Sequence, residues 1–181
     1  MHGKKPTIKG IFVNSHIKVV LKQQGEPGVR ELERRCGKAL NFRNSENILI
    51  AEEVMILEHA LDILSQVPIP SSARAFEAGR LHFRNFTTTP LARIIFSLFR
   101  KDFKLMMMQA HNIAGHVFQG VAFITEDLGP RAIKVITDNN DYPIDHFKGL
   151  FFEWLHYAGY KGSVEATETI PHRFEYTIRW Q

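Results

Sequence analysis

The histidines are the first residues in this sequence to examine for metal or acid–base chemistry. The sequence has nine histidines, and imidazole is a common metal ligand that titrates near neutral pH. His111 and His116 are five positions apart, which places them on different faces of a helix, unlike the i, i+4 pair of a helical zinc site. We expect His82, His146 and His156 at surface or capping positions of helices. The spacing therefore predicts no metal site.

The sequence also lacks the motifs of common enzyme classes. It contains no His-Glu-x-x-His, Cys-x-x-Cys or Gly-x-Ser-x-Gly pattern, and no glycine-rich phosphate loop. Cys36 is the single cysteine, and Arg34 and Arg35 next to it would lower the pKa of its thiol. No base is indicated near Cys36, so we expect a half-buried structural residue near a helix end. We predict that the protein is not an enzyme and has no cofactor.

Basic side chains are concentrated between residues 71 and 104, where seven lysines and arginines accompany two acids. Arg80 and Arg84 are i, i+4 neighbours on one helix face, and such a surface can attract phosphates. One hypothesis is therefore nucleic-acid binding through the basic helices at 74–104. The preferred hypothesis is a non-catalytic signalling module that binds a small ligand or a partner protein in a cleft between its helices and its sheet. The candidate binding residues for that cleft are Arg80, Arg84, Arg93, Phe99, Met107 and His111.

Composition limits the class of protein. A hydrophobic share of 44% with 11% aromatic residues is typical of a packed globular chain, and 181 residues suit one domain. No apolar run reaches the roughly 20 residues that span a bilayer, and Met1–Pro6 is basic without an apolar region behind it. A single cysteine also fits a reducing compartment. We expect a soluble, cytoplasmic protein with no membrane insertion.

The hydrophobic pattern changes from helical to extended near residue 117. Before that point, helical periodicity and turn residues predict helices over 11–21, 29–36, 48–64, from Ser71 or Ser72, from Pro90, and 103–114. After it, alternation predicts strands over 121–125, 133–137, 164–170 and 174–180, with a helix between Pro143 and Gly159.

This order of elements predicts an α+β fold. We expect residues 1–181 to form one domain, with residues 1–6 flexible and 7–116 mainly helical. Residues 117–181 should form an antiparallel β-β-α-β-β unit that packs against the helical half.

Two resemblances are visible in particular segments. The chain resembles a paralogous family of uncharacterised proteins from myxobacteria, which implies a bacterial origin and no established activity. The segments that carry this likeness are Ile8–Val13, Ala75–Arg80, Leu128–Pro130, His146–Leu150 and Tyr176–Trp180.

In architecture the chain is also similar to heme-nitric oxide/oxygen-binding (H-NOX) sensor domains. The run Leu105–Met108 followed by His111 resembles the helix that carries the proximal heme ligand in those domains. This resemblance implies a sensor fold, with His111 as the candidate heme ligand. The tyrosine–serine–arginine motif that holds the heme propionates is replaced here by Ile136, Asp138 and Asn140. Without the guanidinium, propionates would meet the carboxylate of Asp138, so we expect no heme.

Overall fold

A computed structural model describes residues 5–99 and 102–181, with the side chain of Phe99 outside that description. Most of the predicted flexible segment 1–6 lies outside the described residues. No helix of the described ranges is long and apolar enough to cross a membrane. The described residues form seven helices: α1 Gly10–Cys36, α2 Ile50–Leu64, α3 Ser71–Phe86, α4 Pro90–Phe99, α5 Phe103–Met108, α6 Ala110–Val117 and α7 Ile144–Tyr157. The strands are β1 Thr7–Lys9, β2 Asn47–Leu49, β3 Phe118–Gln119, β4 Ala122–Asp127, β5 Ala132–Asp138, β6 Gly162–Ile170 and β7 Arg173–Trp180.

The helical half follows the predicted order with two local differences. The first two predicted helices are joined in α1, which has a kink at Gly25. The φ of Gly25 is 64°, in the left-handed region that favours glycine, and Gly25 is the first residue of the Gly-Glu-Pro-Gly segment. The predicted helix over 103–114 is two short helices that meet at Gln109. Thr89 caps α4, because its hydroxyl accepts a hydrogen bond from the amide of Ala92 at 3.3 Å.

The predicted β-β-α-β-β unit is confirmed. Its four strands form one antiparallel sheet in the order β4-β5-β7-β6. The alternation read in β7 matches its burial, since Phe174, Tyr176, Ile178 and Trp180 are all buried. α7 covers this face through Phe147 and Phe151, whose rings contact Tyr176.

A second, three-stranded sheet was not predicted. Its order is β2-β1-β3 and all its pairings are antiparallel. The strands have two or three residues each, so they are too short to show an alternating pattern. They join the start of α1 to the start of α2 and to the end of α6.

Two glycines allow α3 and α7 to cross closely. A Cβ atom at Gly79 would lie 1.8 Å from the carbonyl oxygen of His146, and one at Gly149 would lie 2.0 Å from that of Phe76. Both glycines belong to segments that carry the sequence resemblance, Ala75–Arg80 and His146–Leu150. These segments therefore meet in the structure, and their crossing joins the helical half to the sheet unit.

Candidate functional site

A buried group of three histidines and one glutamate lies where four helices meet. His16 comes from α1, Glu53 from α2, His82 from α3 and His146 from α7. The exposed fraction of each of the four is 3% or less. We call these four residues the His–Glu cluster. The expectation that His82 and His146 occupy surface or capping positions is wrong, because each lies on the apolar face of its helix.

Short contacts connect the members of the His–Glu cluster. The imidazole Nε2 of His16 lies 2.7 Å from Oε1 of Glu53, and Nδ1 of His82 lies 3.6 Å from the same oxygen. The same Nδ1 of His82 lies 3.0 Å from Nε2 of His146. On the far side of His16, the amide of Asn85 contacts Nδ1 at 2.9 Å. The side chains therefore form one continuous polar network inside an apolar core.

Burial and charge set the protonation of this network. Burial alone would raise the pKa of Glu53, but His82 and His16 favour its ionised form and lower that pKa to about 2. Burial lowers the pKa of His82 to about 4 and that of His146 to about 3. At neutral pH, Glu53 is thus a buried carboxylate and His82 and His146 are uncharged. A buried carboxylate is costly unless it is paired or bound to a cation.

Two polar atoms of this region lack a hydrogen-bond partner among the described residues. They are Oε2 of Glu53 and the hydroxyl of Tyr142, both buried. Tyr142 stacks on His146 with ring centroids 4.4 Å apart. Burial, the charge of Glu53 and the hydrogen-bonding proximity of its carboxylate raise the pKa of Tyr142 well above its ordinary value. The hydroxyl of Tyr142 therefore keeps its proton and lies beside Glu53, although the geometry between them is not that of a good hydrogen bond.

An apolar cavity of about 60 Å³ lies beside the His–Glu cluster. We call it the interlayer cavity, because α3, α6 and α7 wall it on one side and β3 and β4 on the other. Its lining includes Ala110, Ile113, Ala114, Val117, Leu150 and seven aromatic side chains: Phe83, Phe86, Phe118, Phe123, Phe147, Phe151 and Trp154. His82 completes the lining and so belongs to both the cavity and the cluster.

The predicted arginines lie away from the interlayer cavity, and two of them, Arg80 and Arg84, contact acids. Arg80 donates from Nε to Glu153 at 2.7 Å and from Nη1 to Glu77 at 3.1 Å. Arg84 is half exposed, with its Nε 3.9 Å from Glu153. Arg93 is exposed on α4. A role for these arginines in recognition stays a prediction, and its place would be the outer surface.

Two of the three predicted wall residues, Met107 and His111, lie outside the lining of the interlayer cavity. Met107 is fully buried in the core, outside the cavity lining. His111 is exposed, because it lies about 100° around α6 from the buried face formed by Ala110, Ala114 and Val117. The side chain of Phe99, the third predicted wall residue, lies outside the part of the chain that the structure describes.

The basic segment 74–104 is largely neutralised by acids where the structure describes it. Arg74 pairs with Asp62, and Lys104 contacts Asp127 at 2.8 Å. Together with the Arg80 and Arg84 contacts, these pairs reduce the charge available for phosphates. The nucleic-acid hypothesis gains no support from this surface.

The thiol of Cys36 is not activated by the two arginines next to it in the sequence. Arg34 and Arg35 pair with Glu31 at 2.7 and 2.8 Å and so do not activate the thiol. Burial instead raises the pKa of Cys36. It is half-buried and free, as expected for a structural residue.

Comparison with solved structures shows the H-NOX fold. An H-NOX protein from S. oneidensis in the Fe(II)NO ligation state is 17% identical, with a TM-score of 0.72, and the match covers 96% of this chain and 99% of that one. An oxygen-binding H-NOX domain related to soluble guanylate cyclases is 18% identical, with a TM-score of 0.67, covering 96% and 95%. The Fe(II) unliganded H-NOX protein from K. algicida is 11% identical, with a TM-score of 0.65, covering 96% of each chain.

The described residues do not fit a heme in the interlayer cavity. Pockets for ligands of drug size have volumes of about 300–1,000 Å³, whereas this cavity measures about 60 Å³ because aromatic side chains fill the space. The candidate ligand His111 faces outward. At the positions of the propionate motif, Asp138 accepts a hydrogen bond from the amide of Asn139, and Asn140 is buried against Thr137. No arginine occupies these positions.

The remaining comparisons define the family. No curated protein matches the sequence. The family described as "Protein of unknown function (DUF2378)" matches residues 4–181. Since this match spans almost the whole sequence, the chain belongs to the DUF2378 family.

Proposed function

We propose that this chain is a non-catalytic signalling module that holds a small apolar molecule in the interlayer cavity and does not use heme. The observation that carries the proposal is the cavity itself. It lies between the helical half and the sheet unit, and its walls are almost entirely apolar. An apolar cavity of this kind excludes water and favours apolar guests of a few atoms.

The structural neighbours support a sensory role. They include proteins described with bound nitric oxide and with bound oxygen. This chain has the same fold as these proteins. A guest in the interlayer cavity would contact α3, α6 and α7 at once. Occupancy would therefore favour one relative placement of these helices, which is the way in which a ligand shifts a protein between two states.

Xenon is a suitable probe, because it is apolar and binds engineered apolar cavities. We expect saturable chemical-shift changes in the methyl groups of Ile113 and Val117 when the labelled protein is titrated with xenon. Replacing Ala114 by Val should fill the cavity and weaken those changes at least tenfold. The matched control is Gly115→Ala, which adds a methyl group next to Ala114 at a position with no atom within 4 Å.

Two outcomes would contradict the proposal. One is the absence of saturable shifts in the folded protein, which would leave partner-protein recognition as the remaining hypothesis. The exposed Ile94 and Leu98 of α4, 58% and 70% accessible, are an apolar surface on which to test it. The other is xenon binding that the Ala114→Val change does not alter.

A further inference from the structure

We propose that the His–Glu cluster binds a divalent first-row transition metal ion. One ligand atom from each of His16, Glu53 and His82 lies within 4.8 Å of the other two. Two imidazoles and one carboxylate are the donor set of several zinc sites and of non-heme iron(II) sites. His146 adjoins this group, since its Nε2 is 3.0 Å from Nδ1 of His82, but it is not one of the three converging ligands. The inference does not depend on what the interlayer cavity holds.

The Glu53 carboxylate is the least satisfied group of the cluster. Its Oε2 accepts no hydrogen bond of good geometry from the described residues, although Glu53 is fully buried and the hydroxyl of Tyr142 lies near its carboxylate. Leaving such an oxygen without a good hydrogen bond destabilises a folded protein, most of all when the group is charged. A divalent cation would compensate both the unpaired oxygen and the buried negative charge.

The surroundings of His16 also match those of a metal ligand. Metal-bound histidines usually hold their second ring nitrogen in a hydrogen bond that fixes the orientation of the ring. Here the amide of Asn85 contacts Nδ1 of His16 at 2.9 Å, so Nε2 points at Glu53. Asn85 is itself 2% exposed. The three ligand residues come from three different helices, α1, α2 and α3.

Only a small adjustment is needed to admit an ion. Metal–nitrogen and metal–oxygen bonds of about 2.0–2.2 Å place tetrahedral ligand atoms about 3.3 Å apart. His16 and Glu53 are in contact at 2.7 Å, so these two side chains must separate by about 0.6 Å. Rotation about side-chain bonds is sufficient for such a change.

Cobalt titration of the full chain tests the site. Protein freed of metal by a chelator, with any affinity tag removed, should bind one Co²⁺ per chain. It should show visible absorption bands that Zn²⁺ abolishes by displacement. Bound Zn²⁺ should also raise the midpoint of thermal unfolding, because an ion that binds only the folded chain stabilises it.

Variants locate the ion. Glu53→Gln and His82→Asn should each weaken Co²⁺ binding at least tenfold, whereas His111→Ala, at an exposed histidine, should leave it unchanged. If a cluster variant fails to fold, Asn85→Ala provides a second test with all ligands retained and an expected loss of about tenfold. Folded wild-type protein that binds no Co²⁺ or Zn²⁺ in stoichiometric amount would overturn the inference. So would binding that His111→Ala removes and the cluster variants retain.

Discussion

The crossing of α3 and α7 gives the sharpest test of the packing that positions both sites. Alanine at Gly79 would place its Cβ 1.8 Å from the carbonyl oxygen of His146, while real Cβ contacts are essentially never under 3.0 Å. The helices must therefore separate by about 1.2 Å, the difference between these two distances. Separation would also stretch the 3.0 Å contact between His82 on α3 and His146 on α7.

The size of the effect follows from overpacking. Forced insertion of a methyl group into a packed interior destabilises by about 1–3 kcal/mol, and the upper end applies here because the blocking atom is backbone and cannot rotate away. We therefore expect Gly79→Ala to lower the free energy of unfolding by about 3 kcal/mol. For a protein of this size that lowers the midpoint of thermal unfolding by about 6–12 °C.

Gly115→Ala is the matched control for helix propensity. Its Cβ would meet nothing within 4 Å, so alanine should stabilise α6 by about 0.5–1 kcal/mol. Urea and thermal unfolding, followed by circular dichroism, measure both variants. A Gly79→Ala protein as stable as wild type would refute the close crossing, and Gly149→Ala should repeat the result from the other helix.

Three further predictions concern protonation, capping and the thiol. Metal-free protein should lose stability as pH falls from about 6.5 toward 4. Unfolded His82 and His146 take up protons near their ordinary pKa of about 6.5, but folding lowers these pKa values to about 4 and about 3, and each group contributes about 1.4 kcal/mol per pH unit. Glu53, whose pKa folding lowers to about 2, adds a loss below about pH 4.5; urea midpoints that stay constant across this range would contradict the assignment. Thr89→Ala should remove the cap of α4 and cost about 1 kcal/mol in the same assay, and an unchanged midpoint would count against that cap. Because burial raises the pKa of Cys36, iodoacetamide should alkylate it more slowly than free cysteine, and an equal or faster rate would be inconsistent with that environment.

The sequence predicts the architecture well where the pattern is long and regular. The alternation over 174–180 and the Thr89-Pro90 helix start are local signals, and the structure contains both features. β1, β2 and β3 escape prediction because two or three residues are too few to show a period. The break between α5 and α6 also has no glycine or proline to mark it.

The His–Glu cluster could not be predicted from spacing, because its members lie far apart in the sequence. A usable signal was nevertheless present on each helix. His16 follows Phe12 and precedes Val20 at helical spacing, so it lies on the apolar face of α1. Glu53 lies between Ile50 and Leu57 in the same way on α2. Polar residues at apolar positions of several helices indicate a shared buried network, which a search for sequential motifs does not detect.

The free basic surface predicted from the arginines also depends on residues that are far away in the sequence. Arg80 and Arg84 look like a free basic surface when only their own helix is considered. Glu153, which faces them from α7, is more than 60 positions away in the sequence. Their neutralisation is a property of tertiary packing, and sequence spacing carries no information about it.

The absorption spectrum of the purified protein, recorded before addition of hemin and again after incubation with hemin and removal of the unbound hemin by gel filtration, tests the central claim most directly. If aromatic side chains fill the space between helices and sheet, the protein should show no Soret band in either state. The interlayer cavity of about 60 Å³ should still respond to xenon in the same sample. A Soret band corresponding to one heme per chain, lost on replacing His111 by Ala, would contradict this account.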